Sequence, residues 1–78
     1  MPHPYRVMRR RRIEDRSGVT SVELLTNGRA WRVDVWTPAG QRNGGHWHPL
    51  VRKPAEDLDE AESTFAQHVR AQEWRAQR

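Results

Sequence analysis

The strongest constraint on the fold is a pair of strand-like stretches, residues 19–26 and 29–37, joined by the dipeptide Asn-Gly. This dipeptide favours a two-residue type I′ turn, in which both central residues take positive φ. Such a turn sets Thr26 opposite Arg29 and fixes every cross-strand pair behind it. The two stretches are therefore predicted to form an antiparallel hairpin with a single register.

This register gives the hairpin one apolar face and one mixed face. On the apolar face the predicted pairs are Leu24 with Trp31, Val22 with Val33, and Thr20 with Val35. On the mixed face they are Leu25 with Ala30, Glu23 with Arg32, Ser21 with Asp34, and Val19 with Trp36. A slip of one residue would set apolar positions against polar ones, so the turn and the side-chain pattern favour the same pairing. Trp31 is therefore expected in the core and Trp36 on the opposite face.

Alternation also predicts a strand over residues 5–13, after an extended and mobile N-terminal end at residues 1–4. Regular alternation places Arg9 and Arg11 on the same side as Val7. Charged side chains at such positions are typical of a strand at the edge of a sheet. The connection to the hairpin is too short for a parallel crossover, so we expect an antiparallel meander.

Residues 46–51 are the candidate for a short fourth strand, with Trp47 facing away from His46 and His48. Proline has no backbone N–H to donate to a neighbouring strand. Pro49 therefore limits this strand to an edge or to the end of the sheet.

From residue 55 to residue 76 the apolar spacing becomes that of a helix. Its apolar stripe consists of Leu58, Ala61, Phe65, Val69 and Ala76. Five acidic residues lie near its start and arginines lie near its end, which offsets the helix dipole at both termini. A stripe of this width can cover one face of a sheet.

Together these elements predict one small domain, residues 1–78, of the α+β class. We expect an antiparallel meander of three strands, with residues 46–51 as the alternative fourth, and the C-terminal helix packed on one face. The predicted core consists of Val7, Val22, Leu24, Trp31, Val33, Val35, Leu58, Phe65 and Val69. The other face is predicted to be uncovered, with Val19, Leu25, Arg32 and Trp36 on it.

Composition narrows the class of function. The chain has no cysteine, so disulfides and thiolate metal sites are excluded and a cytoplasmic location is the expectation. Its apolar runs are too short to cross a membrane, and no membrane partner is expected. None of Ser17, Ser21 and Ser63 lies in a recognisable nucleophile motif, and there is no glycine-rich phosphate loop. We therefore predict a binding protein that is not an enzyme and needs no cofactor.

Charge points to the kind of partner. Residues 1–53 carry 11 basic and 4 acidic side chains (net +7), whereas residues 54–78 carry 3 and 6 (net −3). All basic residues except Lys53 are arginines, which suit phosphate and carboxylate groups and stack on aromatic rings. We expect a nucleic acid to bind the arginine-rich strand and an exposed aromatic side chain. The candidate residues are Arg6, Arg9, Arg10, Arg11, Arg12, Arg32 and Trp36.

Two other interpretations of these features remain open. The arginines suit an acidic protein surface equally well, in a protein-interaction or regulatory module, or they are a solvated edge strand that discourages aggregation. Trp74 points away from the apolar stripe of the helix, which makes it a candidate contact with a partner or with a second copy in a homodimer. The alternatives are therefore a nucleic-acid partner, an acidic protein partner, and no partner at this strand.

His46 and His48 are weak candidates for a metal site. Their spacing puts both imidazoles on one side of a strand, but two ligands do not make a zinc site. We therefore predict no bound metal.

Overall fold

The computed structural model describes residues 4–16, 18–37, 41–43 and 46–77, with residues 41–43 and 46–48 described by their backbone alone. The predicted mobile end, residues 1–4, lies outside this part of the chain except for Pro4. The strands and the helix, in chain order, are β1 (Arg6–Asp15), β2 (Gly18–Thr26), β3 (Trp31–Trp36), β4 (Gln41–Asn43), β5 (His46–His48), β6 (Val51–Ala55) and α1 (Leu58–Ala76).

Four of the strands form one antiparallel sheet in the order β1-β2-β3-β6, and α1 packs on one face of it. This confirms the predicted α+β fold, with four strands in the sheet, but the predicted position of the fourth strand, residues 46–51, is wrong. The fourth strand is Val51–Ala55, whereas His46–His48 pairs with Gln41–Asn43 in a separate two-stranded sheet. Pro54 is accommodated because β6 is an edge strand.

The hairpin of β2 and β3 forms, but its predicted register is wrong by two residues. Thr26 lies opposite Trp31 and Leu24 opposite Val33, so the loop has four residues, 27–30. A type I′ turn needs a positive φ at both Asn27 and Gly28. Gly28 has a φ of 92°, but the φ of Asn27 is not positive, so this turn is not made. The shift is an even number, so every side chain stays on its predicted face.

Side-chain hydrogen bonds hold the longer loop closed. The Oδ1 atom of Asn27 accepts from the backbone N–H groups of Arg29 (2.9 Å) and Ala30 (2.8 Å). The hydroxyl of Thr26 donates to the carbonyl of Ala30 at 2.8 Å and accepts from the N–H of Gly28 at 3.0 Å. These bonds give Asn27 a favourable alternative to the left-handed backbone of a two-residue turn.

A β-bulge interrupts β1. Val7 lies opposite Leu25 and Arg9 lies opposite the next residue, Leu24, so Met8 is an extra residue without a partner of its own. Val7 therefore faces away from α1, while Arg9 and Arg11 face towards it. The prediction that these arginines share the side of Val7 is wrong because regular alternation stops at the bulge.

The core lies between the sheet and α1. Its buried members are Ile13, Val22, Leu24, Val33, Val35, Ala55, Ala61 and Phe65, and Trp31, Val51, Val69 and Ala76 pack around them. Most of the predicted core is confirmed, but Val7 and Leu58 are wrong, being 40% and 43% exposed. Val7 is on the other side of the sheet, and Leu58 is the first residue of α1. Ile13 was not predicted to be in the core.

Helix α1 begins at Leu58 rather than at residue 55, because Ala55 still belongs to the sheet. Asp57 is the N-cap, and its Oδ1 atom accepts from the N–H of Glu60 at 2.8 Å. Glu60 in turn accepts from the N–H of Glu56 at 3.0 Å. Among the described residues, no helix combines the length and apolar character needed to cross a bilayer.

Candidate nucleic-acid interface

The arginines of β1 lie in two rows, one on each side of an edge strand. Beyond the bulge, Arg9 and Arg11 are on the side of α1, and Arg10 and Arg12 are on the opposite side. All four are exposed, as is Arg6 at the start of the strand. The predicted arginine-rich strand is thus an outer strand whose basic groups reach solvent on both sides.

The row on the helix side makes long ion pairs with α1. Arg9 Nη2 lies 3.4 Å from Glu62 Oε1, and Arg11 Nη2 lies 3.5 Å from Glu73 Oε2. The Arg9 guanidinium also lies 6.0 Å from the centre of the Phe65 ring. Both arginine side chains are 57% exposed, and exposed pairs of this kind contribute little to stability. These guanidinium groups therefore keep donors available to a ligand.

On the opposite side the two arginines differ. Arg10 Nε donates to Glu23 Oε2 at 2.7 Å, and Glu23 is buried. Arg12 lies opposite Ser21 and makes no ion pair with any residue that the structure describes. Arg6 lies opposite Thr26, on the helix side of the strand, and is likewise without an ion pair in the described part of the chain. Arg6 and Arg12 are therefore the most available cations of β1.

Arg32 is held by contacts within the protein. Its Nε atom lies 3.4 Å from Oδ1 of Asp34, which is completely buried, and its guanidinium stacks 4.1 Å from the centre of the Tyr5 ring. Arg52 Nη2 donates to Oδ2 of the same carboxylate at 3.4 Å. A buried carboxylate needs cationic partners. Neutralising Asp34 is therefore a sufficient reason for an arginine at position 32, and no ligand is needed to account for it.

A charge cluster around two buried carboxylates was missed from the sequence. It consists of Arg10, Glu23, Arg32, Asp34 and Arg52, on the sheet face away from α1. The two-residue register placed Glu23 opposite Arg32, whereas the four-residue loop places it opposite Asp34. The sequence carries no specific signal for this cluster, because an aspartate between Val33 and Val35 fits a solvent-facing position of a strand equally well.

The face away from α1 is not the uncovered surface that the sequence predicts. Leu25 is buried, Arg32 and Trp36 are half-buried, and Val19 alone of the four is exposed. The indole Nε1 atom of Trp36 is buried and has no hydrogen-bond partner among the described residues. Trp36 is therefore not an open platform on which a base can stack.

Trp74 is 58% exposed, in the last turns of α1. This agrees with its predicted orientation away from the apolar stripe, and its role as a partner contact stays a prediction. It is remote along the helix from Glu62, the residue with which Arg9 pairs.

Histidine contributes no metal site to the described structure. The side chains of His46 and His48 lie outside the described residues, and within those residues no three histidine or acidic side chains are grouped to hold a metal ion. His68 on α1 is half-buried. Its burial lowers the pKa of the imidazole below the ordinary 6.5, and the positive charge of Lys53 nearby lowers this pKa further.

The sequence matches no known family model, and no curated protein or solved structure is significantly similar to it.

Proposed function

We propose that this protein binds nucleic acid by contacts between phosphate groups and the arginines of β1. One observation carries the proposal: the five arginines between Arg6 and Arg12 are all exposed on an edge strand, and only Arg10 is in a short ion pair. Phosphate contacts of this kind give affinity without reading the base sequence.

The spacing of the rows supports the proposal. Alternate residues of a strand are roughly 6.7 Å apart, so Arg10 and Arg12 present two guanidinium groups in line on one side, as Arg9 and Arg11 do on the other. A guanidinium has five N–H donors in a fork that matches phosphate oxygens. One carboxylate at 3.4 Å or 3.5 Å leaves most of these donors free.

Acidic residues limit the basic surface. Glu14 and Asp15 end β1, and Glu62 and Glu73 lie beside the helix-side row. The binding surface that we propose therefore runs from Arg6 to Arg12 and has its most available cations at its two ends.

Salt dependence of binding tests this proposal. Fluorescence anisotropy of a labelled oligonucleotide is measured from about 50 to about 300 mM salt, for the parent and for the double variant Arg6→Gln/Arg12→Gln. We expect the parent's affinity to fall steeply with salt, and the variant to bind more weakly with a log–log slope smaller by about 2.

The matched control is Arg29→Gln/Arg75→Gln, which removes the same charge from two exposed positions outside β1. It is expected to bind as the parent does, apart from a small general effect of net charge. An affinity that does not change with salt, or an equal loss in both double variants, contradicts binding by β1.

A second candidate partner is an acidic protein segment that adds a strand beside β1. The observation in its favour is that β1 is a ten-residue edge strand with no strand on its outer side in the described structure. A second copy of the chain suits this edge poorly, because arginines would face arginines across an antiparallel pair. Pull-down with and without nuclease separates the candidates, since only capture of protein survives nuclease.

A further inference from the structure

A cavity of about 180 Å³ opens between β1 and the beginning of α1. Its lining is mainly apolar and consists of Met8, Arg9, Leu24, Trp31, Leu58 and Glu62. Met8 and Leu58 are exposed, so the cavity reaches solvent at both of these walls. The two exposed apolar residues thus border a cavity rather than a flat surface.

The β-bulge forms one wall of this cavity. Met8 and Arg9 are consecutive, yet both line it, because at a bulge two neighbouring residues oppose one residue of the next strand. Trp31 forms another wall from β3. Arg9 therefore belongs both to the basic row of β1 and to the cavity.

The size of the cavity matches a single aromatic ring. An apolar protein cavity of about 150 Å³ holds a benzene molecule, while sites for drug-sized ligands begin at about 300 Å³. The present cavity of about 180 Å³ therefore has room for one six-membered ring.

We infer that this cavity receives a single pyrimidine base of a single-stranded nucleic acid lying along β1. The inference rests on the proposed function, since the phosphates on either side of the base are those held by the arginines. The Trp31 ring offers a stacking surface, which gives affinity for unpaired bases. In an intact duplex the bases are stacked and paired, and none is free to enter.

The polar groups of the cavity suit the edge of a cytosine. Arg9 and Glu62 form an ion pair of 3.4 Å, in which both side chains are exposed and can part at small cost. The guanidinium then donates to a ring carbonyl, and the carboxylate accepts from the exocyclic amine, as acidic side chains do with cytosine. Cytosine carries both groups on one edge and is therefore the probe.

The experiment compares two labelled probes of about 12 nucleotides, an oligodeoxycytidine and an abasic backbone with the same number of phosphates, at low salt. We expect the parent to bind oligodeoxycytidine about tenfold more tightly than the abasic probe. Leu58→Trp fills the cavity from α1, outside the strand of arginines. It is expected to bring the two affinities close together without changing that for the abasic probe.

Leu50→Trp is the matched control, because Leu50 is a leucine of nearly the same exposure as Leu58 (41% and 43%) that lies outside β1 and does not line the cavity. It is expected to keep the tenfold preference. Circular dichroism checks that each variant folds, and the comparison of the two probes on the parent needs no variant at all.

The outcomes separate the two proposals. Equal, salt-dependent binding of both probes by the parent overturns the cavity inference and leaves the proposed function in place. Binding of neither probe overturns the proposed function. Cavity-dependent binding of an acidic peptide that contains phenylalanine, with no preference between the two probes, assigns the cavity to a protein partner and also overturns the inference.

Discussion

Glu23 and Asp34 lie directly opposite each other on β2 and β3, and both carboxylates are buried on the sheet face away from α1. Like charges in this position repel one another. The repulsion between the two carboxylates is offset by arginines. Arg10 pairs with Glu23, and Arg32 and Arg52 pair with Asp34. The interior of this small protein thus depends on charge balance on one side of its sheet and on apolar packing on the other.

Asp34→Asn is expected to lower the free energy of unfolding by about 2–4 kcal/mol. The substitution removes the one charge that neutralises Arg32 and Arg52, and the half-buried Arg32 cannot turn fully to water. Urea unfolding followed by circular dichroism measures the change. Asp59→Asn, on the exposed surface of α1, is the control and is expected to cost less than about 1 kcal/mol. Equal losses of unfolding free energy in both variants would show that the stability of the fold does not depend on the charge cluster.

Glu23→Gln is expected to be much milder, below about 1 kcal/mol. Its partner Arg10 is 42% exposed and can be solvated, and the substitution also removes the repulsion of Asp34. The same unfolding experiment compares it with Asp34→Asn. A loss as large as that of Asp34→Asn contradicts the idea that Asp34 is the central acid of the cluster.

Asn27→Ala is expected to destabilise the hairpin by about 1–2 kcal/mol, because two backbone N–H groups lose their acceptor. Asn27→Asp keeps an oxygen at the same position and is expected to retain most of the stability. Thermal melting of both variants measures the difference. If the two variants melt together, the side-chain oxygen does not hold the loop.

Stability should decrease as the pH falls through the titration of His68. Its pKa is lower in the folded protein than the ordinary 6.5, so the unfolded chain binds the proton more readily. The contribution of this group to stability is therefore present above about pH 6.5 and is lost as the pH falls from there towards the folded pKa. NMR titration of the imidazole gives the folded value. His68→Gln is expected to lose less stability than the parent between about pH 7.5 and pH 5.5, and Lys53→Gln is expected to raise the pKa of His68.

Glu73→Gln is expected to tighten nucleic-acid binding by roughly two- to fivefold at low salt, since it frees Arg11 from its carboxylate partner. Anisotropy titration against the same oligonucleotide measures the effect. Glu56→Gln removes the same charge from an exposed position just before the other end of α1 and serves as control. An equal gain in both variants would indicate an effect of net charge alone.

The alternation of side chains predicted much of this fold. Val22, Leu24, Val33 and Val35 are on the expected face because a period of two depends on the strand itself and not on the turn. The stripe of α1 likewise placed Phe65 in the core. These features follow from local periodicity, which a single sequence displays.

The length of the hairpin loop and the bulge in β1 were not predictable in this way. The loop depends on whether Asn27 adopts a left-handed backbone or uses its side chain as an acceptor, and the dipeptide allows both. The bulge inserts Met8 between Val7 and Arg9, and no local pattern of apolar and polar residues marks the position at which a strand takes an extra residue. The charge cluster was missed as a consequence, since its pairing of Glu23 with Asp34 follows from the loop length.

Met8, the extra residue at the bulge, contributes to the cavity but not to the pairing of the sheet. Val7 and Arg9 pair with consecutive residues of β2, so removing Met8 would leave an uninterrupted ladder with every other cross-strand partner unchanged. The sheet therefore does not require Met8, although the cavity loses a wall without it. A related chain one residue shorter at this point would keep the same architecture, and the presence or absence of that single residue would distinguish relatives that share the cavity from those that share only the scaffold.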